Sequence, residues 1–213
     1  MTDIARRAVQ LLKTTKPVDE QTGRQVVLRA GMSKDQLHQV EDRYGFRFNP
    51  DHAAFLRRVV PDWFDWFGDE KDIRERLAWP VEGLLWHVEV GCYWHEPWGP
   101  RPSDPAEAVA TAKDHLSQAP VLVPIYCHRY LPAAPAPSGS PVFSVWQSDT
   151  IYYGRNLVDY LRNEWLGSRS SDGYSDEKIT RVPFWSDLVD ENSIAEGPRP
   201  IIFPSWVSGV FED

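Results

Sequence analysis

Two cysteines in 213 residues, Cys92 and Cys127, are too few for a disulfide framework, and without a C-x-x-C pair they do not signal a zinc ribbon. Reduced thiols in a cytoplasmic protein are the expectation. Basic charge is also scarce. Against 31 Asp and Glu stand 23 Lys and Arg, a formal charge of −8, which argues against broad contact with nucleic-acid phosphates because such contact needs clustered cations. A basic protein partner would be attracted instead. The longest apolar run, VLVPIYC at 121–127, falls far short of the ~20 residues that span a bilayer. Arg6 and Arg7 precede no apolar stretch with a small-residue cleavage site, so no signal peptide is expected. The chain also lacks G-x-S-x-G, H-E-x-x-H, a Walker lysine loop and a dinucleotide glycine fingerprint.

What is present is aromatic: 13% of the chain, with Trp at 10, inside a hydrophobic content of 42%. That composition can bury enough surface to offset chain entropy, and the length suits a single domain spanning 1–213.

Local signals place most elements. DIARRAVQLLK at 3–13 sets Ile4, Ala8, Leu11 and Leu12 on one stripe and predicts a short peripheral helix. Ser33 with Gln36 forms a capping box, Met32 and Leu37 can staple it, and a helix over 34–44 follows, ended by Gly45. Asn49 and Pro50 open another helix, with Phe55, Leu56 and Val59 buried up to Pro61. EKDIRERLAW predicts a short helix, and LLWHVEV at 84–90, between Gly83 and Gly91, predicts a strand. Asp104, Pro105 and Glu107 start a helix over 105–117.

Residues 121–130, 141–147 and 150–153 read as three strands, the last two joined by a turn at Ser148 and Asp149. Pro124 marks the first of them as an edge or bulge, and LPAAPAPSGSP between the first two should project as a loop. Asn156 caps a last helix, NLVDYLRNEW. A polar link at 167–177 leads to a tail whose Phe184, Trp185, Ile201, Ile202, Phe203 and Trp206 should dock back on the body.

Together, GFRFNPDHAAFLRRVVP, the tryptophan and glycine segment after it, LVPIYCHRYLPA, and PVFSVWQSDTIYYG leading into NLVDYL resemble the SUKH superfamily of Smi and Knr type domains over roughly residues 34–166. The resemblance implies an α+β domain with a mainly antiparallel sheet flanked by helices. Residues 1–32 and 167–213 are then terminal extensions. It also implies a non-catalytic, protein-binding role: bacterial members resemble immunity proteins that neutralise a co-encoded toxin, often a nuclease, and fungal members resemble regulatory scaffolds. The proline-rich insert after Leu131 departs from the family's pattern.

Three chemistries compete for the remaining residues. Cys92 and His95, with His87, Glu89, Glu96, Cys127 and His128, are ligand types for zinc, but the tight double pairs of structural sites are missing and no metal or cofactor is expected. His87 or His128, oriented by Glu89 or Asp149, offers a general base to an enzyme of unrecognised signature. Trp86, Trp146 and Trp165 lie on periodic segments and read as core. Trp63, Trp66, Trp94 and Trp98 sit in loops beside glycine, proline and acidic residues, with Asp62, Asp65, Asp69 and Glu70 clustered near the first two, and two readings stand: packing beneath the loops, or an acidic, aromatic surface that meets a protein partner such as a basic toxin.

Overall fold

The computed structural model describes residues 2–19, 22–167 and 178–194. Among them lie α1 (Asp3–Thr15), β1 (Leu28–Ala30), α2 (Lys34–Tyr44), α3 (Pro50–Leu56), β2 (Val59–Pro61), α4 (Glu70–Glu89), α5 (Pro105–Leu116), β3 (Leu122–Tyr126), β4 (Arg129–Pro132), β5 (Val142–Trp146), β6 (Asp149–Gly154), α6 (Leu157–Leu166) and α7 (Trp185–Ile194). β1 and β2 form a small antiparallel pair, and β3-β4-β5-β6 form an antiparallel meander. The fold is α+β, with the sheet flanked by helices.

The period of two along the strands divides the core, because alternate side chains leave opposite faces of a sheet. Val123, Leu131 and Val142 join one cluster with α1, α2, α3 and α6. Leu122, Tyr130, Phe143 and Val145 join a second cluster with the end of α4, α5 and α7. Both faces of the meander are thus covered, which is why its strands read as nearly continuous apolar runs. β3 lies at an edge, with a register shift after Pro124, as that proline predicts.

Caps explain the helix starts. Ser33 and Gln36 form the complete reciprocal box. Asn49, Asp104 and Asn156 each accept backbone N–H groups of the turn they precede. α1 is not peripheral, however. Ala5, Ala8, Val9 and Leu12 are buried in the first cluster, against α3 and α6.

The predicted strand at 84–90 is instead the second half of α4, a 20-residue helix running through Pro80 and Gly83. Proline has no N–H for the carbonyl four residues back. That carbonyl belongs to Arg76, and the Tyr130 hydroxyl donates to it at 3.1 Å. Gly83 allows close approach to the sheet, since a Cβ there would stand 3.1 Å from Gln147 Cα.

The single predicted strand over 121–130 is a hairpin turned by Cys127 and His128, with Cys127 at φ 44. The β5–β6 turn is Gln147 and Ser148 rather than Ser148 and Asp149, for Asp149 pairs with Trp146. The proline-rich loop does not project. Buried Asp51 accepts from Ser138 Oγ (2.8 Å) and Gly139 N–H (2.7 Å), while Asn49 Nδ2 donates to the carbonyls of Ala136 and Pro137. At the C-terminal side, α7 docks through Trp185, Leu188 and Val189, and the Trp185 indole donates to Pro120 O at 2.7 Å. Ile201, Ile202, Phe203 and Trp206 lie outside the described residues.

Candidate functional site

The stretch from Asp62 to Asp69 links β2 to α4 without regular structure, and its side chains divide by direction. Phe64 and Trp66 turn inward. Trp66, 2% exposed, meets Phe64 at 4.5 Å, Phe48 at 5.1 Å and Phe46 at 5.9 Å between ring centroids. It therefore leaves the group of candidate partner anchors: it has no surface to offer, because the aromatic cluster encloses it. Trp63 is half-buried and stacks on Trp165, with centroids 5.5 Å apart and planes at 19°.

The outward residues are Asp62, Asp65, Phe67 and Asp69. Asp62 is tied to the β1 entrance by two hydrogen bonds: Val27 N–H donates to its Oδ1 (2.9 Å) and its own N–H donates to Val27 O (3.0 Å). Asp65 Oδ1 accepts from Phe67 N–H at 2.9 Å, and Asp69 Oδ1 caps α4 by accepting from Lys71 and Asp72. Each of these carboxylates fixes the backbone while remaining exposed, and among the described residues none of the three makes an ion pair. Glu70 differs. Hydrogen bonds from Arg43 (2.5 Å) and Arg74 (2.8 Å) hold its carboxyl below the usual range and cancel much of its field. Phe67, 43% exposed, is the one ring of DWFDWFG that faces outward, which its aromatic neighbours in sequence do not distinguish.

Trp94 and Trp98 pack against the second cluster, away from the cluster that holds Trp63 and Trp66. The Trp94 indole donates to Gly99 O at 2.7 Å, closing the turn around the 3-10 helix Glu96–Trp98. Trp98 stacks between His115 (5.5 Å, 10°) and Phe184 (5.8 Å, 7°). Buried His95 pairs through Nδ1 with Glu191 of α7, and the Tyr93 hydroxyl donates to the same carboxylate at 3.4 Å. GCYWHEPWGPRP is thus a bracket that holds α7.

The proposed base pairs do not assemble. His87 Nδ1 lies 2.7 Å from Ser148 Oγ rather than beside Glu89, and the two residues are 2% and 0% exposed, sealed from any substrate. His128 sits in the β3–β4 turn with its ring 5.6 Å from Trp146, its pKa lowered to about 4 by burial and the neighbouring Arg129. Among the described residues no group of three or more His, Cys, Asp or Glu is placed to hold a metal ion. Of the three tryptophans read as core, Trp86, Trp146 and Trp165 are each only half-buried.

One cleft opens on the loop just described. It encloses about 300 Å³ between Asp19, Thr22 and Arg24 to Val26, Asp62 and Trp63, Arg76 of α4, and Tyr126 and Cys127 at the hairpin. Only Asp62, Trp63 and Cys127 among these were marked by sequence, since four distant segments build the cleft. Among the described residues no helix is long and apolar enough to cross a membrane. No family model matches the chain, and no curated protein or solved structure matches it.

Proposed function

We propose that the chain is a non-catalytic protein-binding module of the cytoplasm, in its most specific form a bacterial immunity protein of SUKH type. It would neutralise a basic, co-encoded toxin such as a nuclease by covering the toxin's cationic surface. The observation that supports this reading is the Asp62–Asp69 loop: three exposed carboxylates and Phe67 are held in place by hydrogen bonds from the backbone N–H groups of Val27, Phe67 and Lys71 and by Phe64 and Trp66 locked in the core. A loop ordered before encounter spares the ordering entropy that association otherwise costs. Its uncompensated negative charge steers a cationic partner and selects it over neutral ones.

Calorimetric titration of the full chain with the product of the adjacent gene tests the reading. A one-to-one complex is expected that weakens as salt rises and abolishes the partner's toxic activity. Phe67→Ala and Asp65→Ser, the latter keeping an oxygen for the Phe67 N–H, should each weaken it by about tenfold. A complex indifferent to salt and to both substitutions, or no complex, would overturn it.

A further inference from the structure

The cleft beside the acidic loop carries a chemistry of its own. Among the described residues its lining holds two cations, Arg24 and Arg76, and two anions, Asp19 and Asp62. The hydrogen-bonding capacity of the two signs is spent unequally. Asp19 Oδ1 accepts from the N–H and the hydroxyl of Thr22 (2.9 and 3.1 Å), and its Oδ2 accepts from the Tyr126 hydroxyl at 3.0 Å. Asp62 commits Oδ1 to the Val27 N–H and is otherwise exposed. Among the described residues, by contrast, neither guanidinium has a hydrogen-bond or ion-pair partner. Arg76 is half-buried, its Cζ 5.8 Å from the Phe64 ring centroid, which holds the side chain while leaving its donors unused.

The remaining walls suit an apolar body. Trp63 presents a ring already braced from behind by Trp165, and Tyr126 stands 5.7 Å from it. We infer that this cleft binds a small aromatic oxyanion, its phosphate or carboxylate taken by the Arg24 and Arg76 guanidiniums and its ring laid against Trp63. Arginine forks match the paired oxygens of either group, and the cavity lies at the small end of the range for ligand sites, about 300–1,000 Å³. Burial pushes both the Cys127 thiol and the Tyr126 phenol up, so neither brings negative charge to the ligand. This site shares Asp62 with the proposed partner face, but nothing in its chemistry requires a protein.

Titration of the isotopically labelled full chain, read at the Trp63 indole N–H, tests it, with that signal assigned from Trp63→Phe. Phenyl phosphate should bind with a Kd on the order of 1 mM or tighter, as a ligand of that size permits. Benzoate tests the carboxylate source and inorganic phosphate the need for the ring, and both should bind more weakly than phenyl phosphate. Arg76→Gln should weaken phenyl phosphate about tenfold, Arg76→Lys less, and exposed Arg24→Gln about threefold. Unchanged affinity in both glutamine variants, or no shift with phenyl phosphate at roughly tenfold above that Kd, would overturn the inference, as would preferential binding of benzylamine. Because no partner protein is present, failure here leaves the toxin complex to its own test.

Discussion

DWFDWFG and GCYWHEPWGPRP look alike as sequence: each mixes tryptophan, glycine and acidic residues, and each invites the same interface reading. In the structure they do opposite work. The first sends Phe64 and Trp66 inward and leaves its aspartates exposed, bonded only to backbone N–H groups. The second turns Tyr93 and His95 toward Glu191 and lays Trp98 between His115 and Phe184, so its polar and aromatic groups serve α7. What separates them is the partner each side chain finds. A carboxylate that satisfies its own loop is free to act outward, whereas one that satisfies a buried imidazole on another element is a structural clasp.

The comparison breaks most visibly at Trp66. Trp66→Ala removes the ring shared by Phe46, Phe48 and Phe64 and should cost about 3–5 kcal/mol in urea unfolding. Trp63→Ala, half-buried on Trp165, should cost about 1–2 kcal/mol. Equal losses would mean that the loop is not divided into an inner and an outer side.

The aromatic cluster around Trp66 also encloses a histidine. His52 lies edge-on to Phe48 and near Trp66, and its Nδ1 has no hydrogen-bond partner among the described residues. Burial lowers its pKa from 6.5 to about 3. Below pH 6.5 the unfolded chain therefore binds a proton that the folded chain refuses, and stability falls as pH drops through that window. The loss from His52 should be on the order of 2 kcal/mol between neutrality and pH ~5. His52→Phe should flatten that slope in urea titrations, with His128, also lowered by burial and by Arg129, supplying what remains. An unchanged slope would remove His52 as its source.

How much was legible follows from the range of each interaction. The caps at Ser33, Asn49, Asp104 and Asn156 were readable because donor and acceptor lie within three residues. α4 was misread because Pro80 and Gly83 answer to distant groups: the Tyr130 hydroxyl fills the carbonyl that Pro80 leaves open, and Gln147 occupies the space that Gly83 clears. The hairpin turns hid for a related reason, since Cys127 and Gln147 adopt positive φ without being the glycine or asparagine that announces it. Asp62 and Trp63 could be marked by composition. Arg24 and Arg76 could not, because their place beside Trp63 exists only once β3, β4 and α4 have assembled.

The clasp itself gives the smallest effect and the most local one. Glu191→Ala leaves His95 buried without its carboxylate and takes an acceptor from Tyr93, which should cost about 1 kcal/mol. Glu191→Gln keeps an oxygen for one of the two donors and should restore part of that. Because His95 touches α7 and the 3-10 turn but not α1, hydrogen exchange should quicken in Trp185–Ile194 and around Glu96–Trp98 while Asp3–Thr15 keeps its protection. If exchange quickened uniformly, the bracket would be part of the global core and its contrast with the acidic loop would dissolve. Loss confined to α7 and the 3-10 turn instead makes GCYWHEPWGPRP the element that sets how long α7 stays docked.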